Sequence, residues 1–264
     1  MLFSMSYPKS VGHGLSCLPA SLIISLFLLG CGLTDAEEHY NRGVRLERQS
    51  NWQGAVAEYT EAIRLQPQFP LAYNNRGVAE AILGEYDRAI QDYSEAIKGD
   101  PEFAEAYNNR GVAYNDTGNY QNAIADFESA VILDKWQARY YANRGVSYYY
   151  LKNYQTAQQD FDKAISLNSQ VVVAFRFRGL TRVERGEFDE ALSDFDSALL
   201  VAEAKLQSSP DSAILLRQIA ELYLDRGIVY HRLGNALLAQ KDLQKARELD
   251  PSLEPRIAAT GVGS

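Results

Sequence analysis

The first 34 residues of this 264-residue chain contain no aspartate or glutamate and a single lysine, Lys9, although the whole chain carries 34 acidic and 26 basic residues. Composition alone therefore divides the chain near residue 35. Cysteine is scarce: Cys17 and Cys31 both fall in that acid-free head, so the remainder has no disulfide framework and no cysteine metal cluster. Of three histidines, His13 lies in the head, while His39 and His231 stand far apart with no second ligand spaced beside either. No metal site is expected. Glycine-rich phosphate loops are lacking, and the carboxylates recur at regular intervals instead of gathering as an acid and a base, so neither a cofactor nor an enzyme is expected. Basic excess is absent as well. A net charge of -8 and a pI near 5 argue against nucleic acid as a partner. With 46% hydrophobic and 23% charged residues the chain is globular in composition.

The head reads as an export signal. Lys9 and His13 precede an apolar core, Leu22 to Leu29, and the small Gly30 stands directly before Cys31. Leu28-Leu29-Gly30-Cys31 resembles a bacterial lipobox, which implies that residues 1–30 are a signal peptide and that the Cys31 thiol carries lipid. An uncleaved anchor is the competing reading, because Val11 to Leu33 is free of charge and at ~1.5 Å per residue could cross a bilayer core of ~30 Å. Pro19 interrupts that longer span, which favours lipidation. Either way, the chain is expected at a membrane, and as a lipoprotein in the cell envelope. Removing the head with Lys9 leaves a net charge of -9.

Self-similarity governs the rest. Gly43, Gly77, Gly111, Gly145 and Gly179 follow one another at intervals of 34, each preceded by arginine, and Arg226-Gly227 repeats the pair after 34 plus 14 residues. Six units begin at 36, 70, 104, 138, 172 and 220. Numbering each from 1, position 20 is always alanine, position 27 is alanine again, and position 24 runs Tyr59, Tyr93, Phe127, Phe161, Phe195, Leu243. Pro67, Pro101 and Pro251 occupy position 32, where a missing amide donor stops a helix. Apolar and small residues at 4, 8 and 11, then at 20, 24 and 27, follow helical spacing broken near position 15 by pairs such as Gly84-Glu85 and Gly118-Asn119. Each unit is thus a hairpin of helices A and B. Glycine costs ~1 kcal/mol relative to alanine in a helix, so its recurrence at position 8 implies a close approach there.

These marks resemble the tetratricopeptide repeat from Ala36 to Leu253. The resemblance implies an all-α solenoid of six helix-turn-helix repeats in a right-handed superhelix, with A helices lining a concave groove that binds proteins or extended peptides. Units 1–5 occupy 36–205 after a short tether, 31–35; an insertion, 206–219, lengthens the helices around it; unit 6 is 220–253; and 254–264 is a tail too short for a capping helix. Thr34 with Glu37 forms a capping-box pattern. Lengthened helices around the insertion are expected to project beyond the solenoid edge.

Two polar rows stand out. Arginine holds position 7 in every unit (Arg42, Arg76, Arg110, Arg144, Arg178, Arg226) and an acid holds position 23 (Glu58, Asp92, Asp126, Asp160, Asp194, Asp242). In a hairpin turning near 15 these lie level, so structural ion pairs are expected. Asparagine holds position 6 in Asn41, Asn75, Asn109 and Asn143. A primary amide both donates and accepts, which suits a peptide backbone. The family's groove positions 2, 5, 6, 9 and 12 then add Arg139, Tyr149, Arg176 and Phe177, a set suited to a peptide with an acidic group and an apolar anchor.

Overall fold

A computed structural model describes residues 34–261, so the signal, the lipidation candidate Cys31 and most of the tether lie outside the described residues. Thr34 and Glu37 close the capping box that opens α1 (Asp35–Arg48): the Thr34 amide donates to Glu37 and the Glu37 amide to Thr34 Oγ1. The helices then follow in pairs. Hairpin 1 joins α1 to α2 (Trp52–Leu65), hairpin 2 α3 (Pro70–Ile82) to α4 (Tyr86–Gly99), and hairpin 3 α5 (Ala104–Asp116) to α6 (Tyr120–Leu133). Hairpin 4 joins α7 (Ala138–Tyr150) to α8 (Tyr154–Leu167), hairpin 5 α9 (Val172–Glu184) to α10 (Phe188–Ser208), and hairpin 6 α11 (Ala213–Arg232) to α12 (Ala236–Leu249). The fold is an all-α tetratricopeptide solenoid, with no strand among the described residues. Two compact halves divide it, one ending at Leu133 and the other starting at Asp134.

One chemical device closes every hairpin. The side chain at position 24, a ring in hairpins 1 to 5 and Leu243 in hairpin 6, lies on the glycine at position 8, so a methyl on Gly145 would stand 2.7 Å from the Phe161 ring. The close approach implied by the glycine row is therefore to a side chain of helix B, packed against a helix A that has nothing in the way. Alanines at 20 and 27 flank each ring and are fully buried from hairpin 1 to hairpin 6. At position 15 the chain turns with positive φ, through glycine in four hairpins but through Ser50 (φ 57) and Lys152 (φ 60) in hairpins 1 and 4.

The two ends are finished differently. Positions 3 and 10 of helix A are small or apolar and buried in hairpins 2 and 3 (Ala72, Ala79, Ala106, Ala113), whereas α1 carries exposed Glu38 and Arg45 there. An end hairpin with a polar outer face needs no neighbour. At the other end the expectation of an uncapped tail is corrected. Asp250 accepts from the Ser252 amide and starts a 3₁₀ turn, Pro251–Leu253, which leads into a short helix, α13 (Glu254–Ala258). Leu253 and Ile257 plug the apolar cluster of Ala220, Leu224, Leu243 and Ala246. One turn suffices because only two side chains are needed to cover that small opening.

The insertion enters as helix. α10 has 21 residues where α8 has 14, and α11 has 20 where α9 has 13, so seven are added to each. These turns pack as well as extend: Val201, Ala202 and Ile219 are buried, and the Lys205 ammonium donates to the Gln170 carbonyl in the loop before α9. No described helix is long and apolar enough to cross a membrane.

Candidate functional site

Each arginine at position 7 meets the acid 16 residues on, within its own hairpin. Arg76 Nε and a terminal nitrogen donate to the two oxygens of Asp92, both at 2.7 Å, and Arg110–Asp126, Arg144–Asp160 and Arg226–Asp242 repeat the fork at 2.7–2.8 Å. Arg178 forks onto Asp194 as well. Arg42–Glu58 is a single contact of 2.9 Å, shared with His39 Nδ1 at 2.7 Å from the same carboxylate. A guanidinium suits this place because its planar fork matches a carboxylate and its face lies on the aromatic ring at position 4, as Arg76 lies over Tyr73. Neighbouring hairpins join the network: Arg76 also donates to Thr60, Arg110 to Ser94 and Arg178 to Asp162.

The asparagine row is placed otherwise than expected. In the N-terminal half, Asn75 and Asn109 are buried, together with Asn74 and Asn108 at position 5. Their amides serve one another: Asn109 donates to Asn74, Asn74 to Asn75, and Asn75 to the Tyr40 hydroxyl, each at 3.1 Å. A ladder of amides thus ties three successive A helices. The reading of these amides as free partners for a peptide backbone is corrected, because side chains 35 residues apart satisfy them first. Asn41 is half-buried at the start of the row.

The C-terminal half brings its own correction. Arg176, expected as a cation for an acidic ligand, is consumed by helix α11: its Nε donates to Asp225 at 2.6 Å and a terminal nitrogen bonds Glu221. Burial works against the charged guanidinium, but the Asp225 and Glu221 carboxylates outweigh it and hold the group protonated. Phe177 is buried, packed edge-on against Tyr149 (5.4 Å) and Tyr150 (6.1 Å). Tyr149 is half-buried and touches Tyr154 too, and burial pushes its hydroxyl up to about 12. Asn143 is buried, and Arg139, half-buried, covers the Tyr140 ring at 5.1 Å. Of the expected set, Tyr149 and Arg139 in this half and Asn41 in the other keep surface exposure.

Sequence reasoning missed a group of acids in the N-terminal half. Glu80, at position 11 of hairpin 2, is 8% exposed and has an oxygen without a partner, while Asp92, 5% exposed, faces it from α4. Burial first, then the Asp92 charge, raises Glu80 to about 7. Glu47, 7% exposed, likewise keeps an unpartnered oxygen. Burial raises Glu47 to about 7 against the pull of the Tyr59 hydroxyl and Arg48. For Glu80 the signal was available in the register, since an acid four residues past Arg76 shares its face of helix A; Glu47, five past Arg42 at position 12, left no such trace. Among the described residues no group of three or more histidine, cysteine or acidic side chains is placed to hold a metal.

Six hairpins, with a glycine under a ring in five of them and a forked ion pair in five, define a repeat protein built for stacking. Models described as TPR repeat match residues 46–81 and 79–118, and models described as tetratricopeptide repeat match 104–135, 138–170 and 220–253. Together these cover more than half of the chain, which belongs to the tetratricopeptide repeat family. No curated protein matches the chain. Solved structures do. MamA from Desulfovibrio magneticus RS-1 is similar at 22% identity and a TM-score of 0.58, over 68% of this chain and 99% of that one. PilW, described as a widely conserved type IV pilus biogenesis factor, aligns at 18% identity and 0.70, over 83% and 96%. YrrB, described as having an unusual peptide-binding site, aligns at 23% and 0.51, over 77% and 97%.

Proposed function

We propose that this chain is a non-catalytic adaptor, attached to a cell-envelope membrane through lipid on Cys31, that holds partner proteins or extended peptides along its A helices. The observation that carries the binding half is the ladder from Tyr40 through Asn75 and Asn74 to Asn109, which sets three A helices in one register. A face repeated in register offers an extended partner the same groups at regular steps. PilW as a biogenesis factor and YrrB with its peptide-binding site support the same reading by fold. Partner contact falls to side chains that the internal ladder leaves at the surface, Leu71 in one half and Arg139 and Tyr149 in the other.

A photo-crosslinking residue in place of Leu71 or Tyr149 tests this in native membranes. Crosslinks to a defined protein from these sites, and none from the helix-B sites Gln121 and Gln244, are expected. Equal labelling at all four would remove the A-helix face from the proposal. Mass spectrometry of the mature N-terminus tests the attachment: an acylated Cys31 is expected, whereas intact Met1 would favour a signal-anchored assembly factor instead.

A further inference from the structure

Position 11 of helix A lies against the acid of the ion pair in hairpins 2 and 5, and these two hairpins use it in opposite ways. In hairpin 5 it is Arg182, which donates to Asp194 at 2.6 Å beside Arg178, so two cations serve one buried carboxylate. In hairpin 2 it is Glu80, so two buried carboxyls share the one guanidinium of Arg76. Both oxygens of Asp92 are already taken by that guanidinium, and Glu80 keeps an oxygen with no partner. Glu47 repeats the predicament in hairpin 1: a buried carboxyl with an unpartnered oxygen, under the Tyr59 hydroxyl of α2. A carboxyl in such a place is tolerated neutral and costly when charged.

We propose that Glu80 and Glu47 form a proton-operated latch in the N-terminal half: protonated, they let α3 lie on α4 and α1 on α2; ionised, they loosen both hairpins, while hairpin 5 is indifferent to the same change. The groups around Glu80 are Arg76 on its own helix, Asp92, Arg88 and Tyr93 on α4, and Asp116 of α5, which faces Tyr93 from the other side. Those around Glu47 are Arg48 and Tyr40 on α1 and Tyr59 on α2. Arg88 and Arg48 are exposed and spend most of their charge on water, so neither rescues a buried anion. Both acids hold a proton in the folded chain that the unfolded chain gives up near 4.5, so folding is favoured below that pH and loses this support as pH rises to about 7.

Hydrogen exchange of the full chain between pH 5.5 and 8, corrected for the intrinsic rate, tests the latch. Peptides from α1–α4 are expected to lose protection about tenfold or more beyond any loss in α9–α10. Glu80→Gln with Glu47→Gln mimics the protonated state and should remove that excess. Glu80→Arg, which copies the arrangement around Arg182, should do the same for α3–α4 alone. Equal pH responses in the two halves of the wild-type chain, or an excess that survives the double glutamine variant, would overturn the proposal.

Discussion

Hairpins 2 and 5 share an arginine at position 7, an acid at 23, a glycine at 8 and a ring at 24, yet their buried charges balance differently. Around Asp92 stand one guanidinium and a second carboxyl; around Asp194 stand two guanidinium groups, with Asp162 joining Arg178 from the hairpin before. The same difference holds at larger scale. Residues 34–133 contain 17 acids against 8 bases, and residues 134–261 contain 17 of each, so the net charge of -9 over residues 34–261 resides entirely in the N-terminal half. A repeat scaffold conserves its shape while each half sets its own electrostatics, because the forked pair fixes geometry and leaves position 11 free to vary.

The largest expected effect comes from removing the shared cation. Arg76→Met leaves Asp92 and Glu80 buried with no partner and should cost about 3–5 kcal/mol, the range for breaking a buried pair. Arg178→Met leaves Arg182 on Asp194 and should cost about 1 kcal/mol. Hydrogen exchange resolved by hairpin is the suitable measurement, since repeat arrays unfold in parts. Equal losses in the two hairpins would mean that the second charge at position 11 does not matter. The comparison also runs in reverse. Arg182→Glu places a second carboxyl beside Asp194, and hairpin 5 should then lose about 1–2 kcal/mol more at pH 8 than at pH 5.5, a change of roughly one pKa unit in binding of the added proton.

Packing gives a smaller contrast. In Gly145→Ala the new methyl meets the rigid Phe161 ring at 2.7 Å, and overpacking of about 1–3 kcal/mol outweighs the ~1 kcal/mol gained in helix propensity. In Gly227→Ala the first neighbours are Leu243 side-chain carbons at 3.1 Å, which rotate away, so stability should change by less than about 0.5 kcal/mol. Thermal unfolding should show a clear loss for Gly145→Ala and little change for Gly227→Ala.

Periodicity made the hairpins, the glycine–ring contact and the ion pairs legible, because each depends on two positions of one unit. What depended on the neighbouring unit was hidden. Asn109 finds Asn74, 35 residues away, and Arg176 finds Asp225 across 49 residues because the insertion lengthens the interval. A side chain's own repeat position says which way it points but not which partner reaches it first. Stacking the units in register would have put position 5 of one unit beside positions 2 and 6 of the next, and so Arg176 beside Glu221 and Asp225. The small C-terminal plug was missed for another reason: Leu253 and Ile257 act through two contacts, too few to leave a periodic trace.

The smallest effect lies in the turns. Four hairpins reverse through glycine at φ between 76 and 85, but Ser50 and Lys152 hold φ of 57 and 60 with side chains attached. Left-handed backbone costs an ordinary residue about 1–2 kcal/mol, and glycine returns about 0.4–1 kcal/mol of that through its looser unfolded chain. Ser50→Gly and Lys152→Gly should each therefore stabilise their hairpins by about 0.5 kcal/mol. Both turns close through the same backbone bonds, Asn51 to Leu46 and Asn153 to Tyr148 at 2.9 Å, so local strain alone predicts equal gains in the two halves. A gain confined to Lys152→Gly would mean that hairpin 1 frays before its turn is tested, the end hairpin opening at its polar outer face while the interior one stays closed.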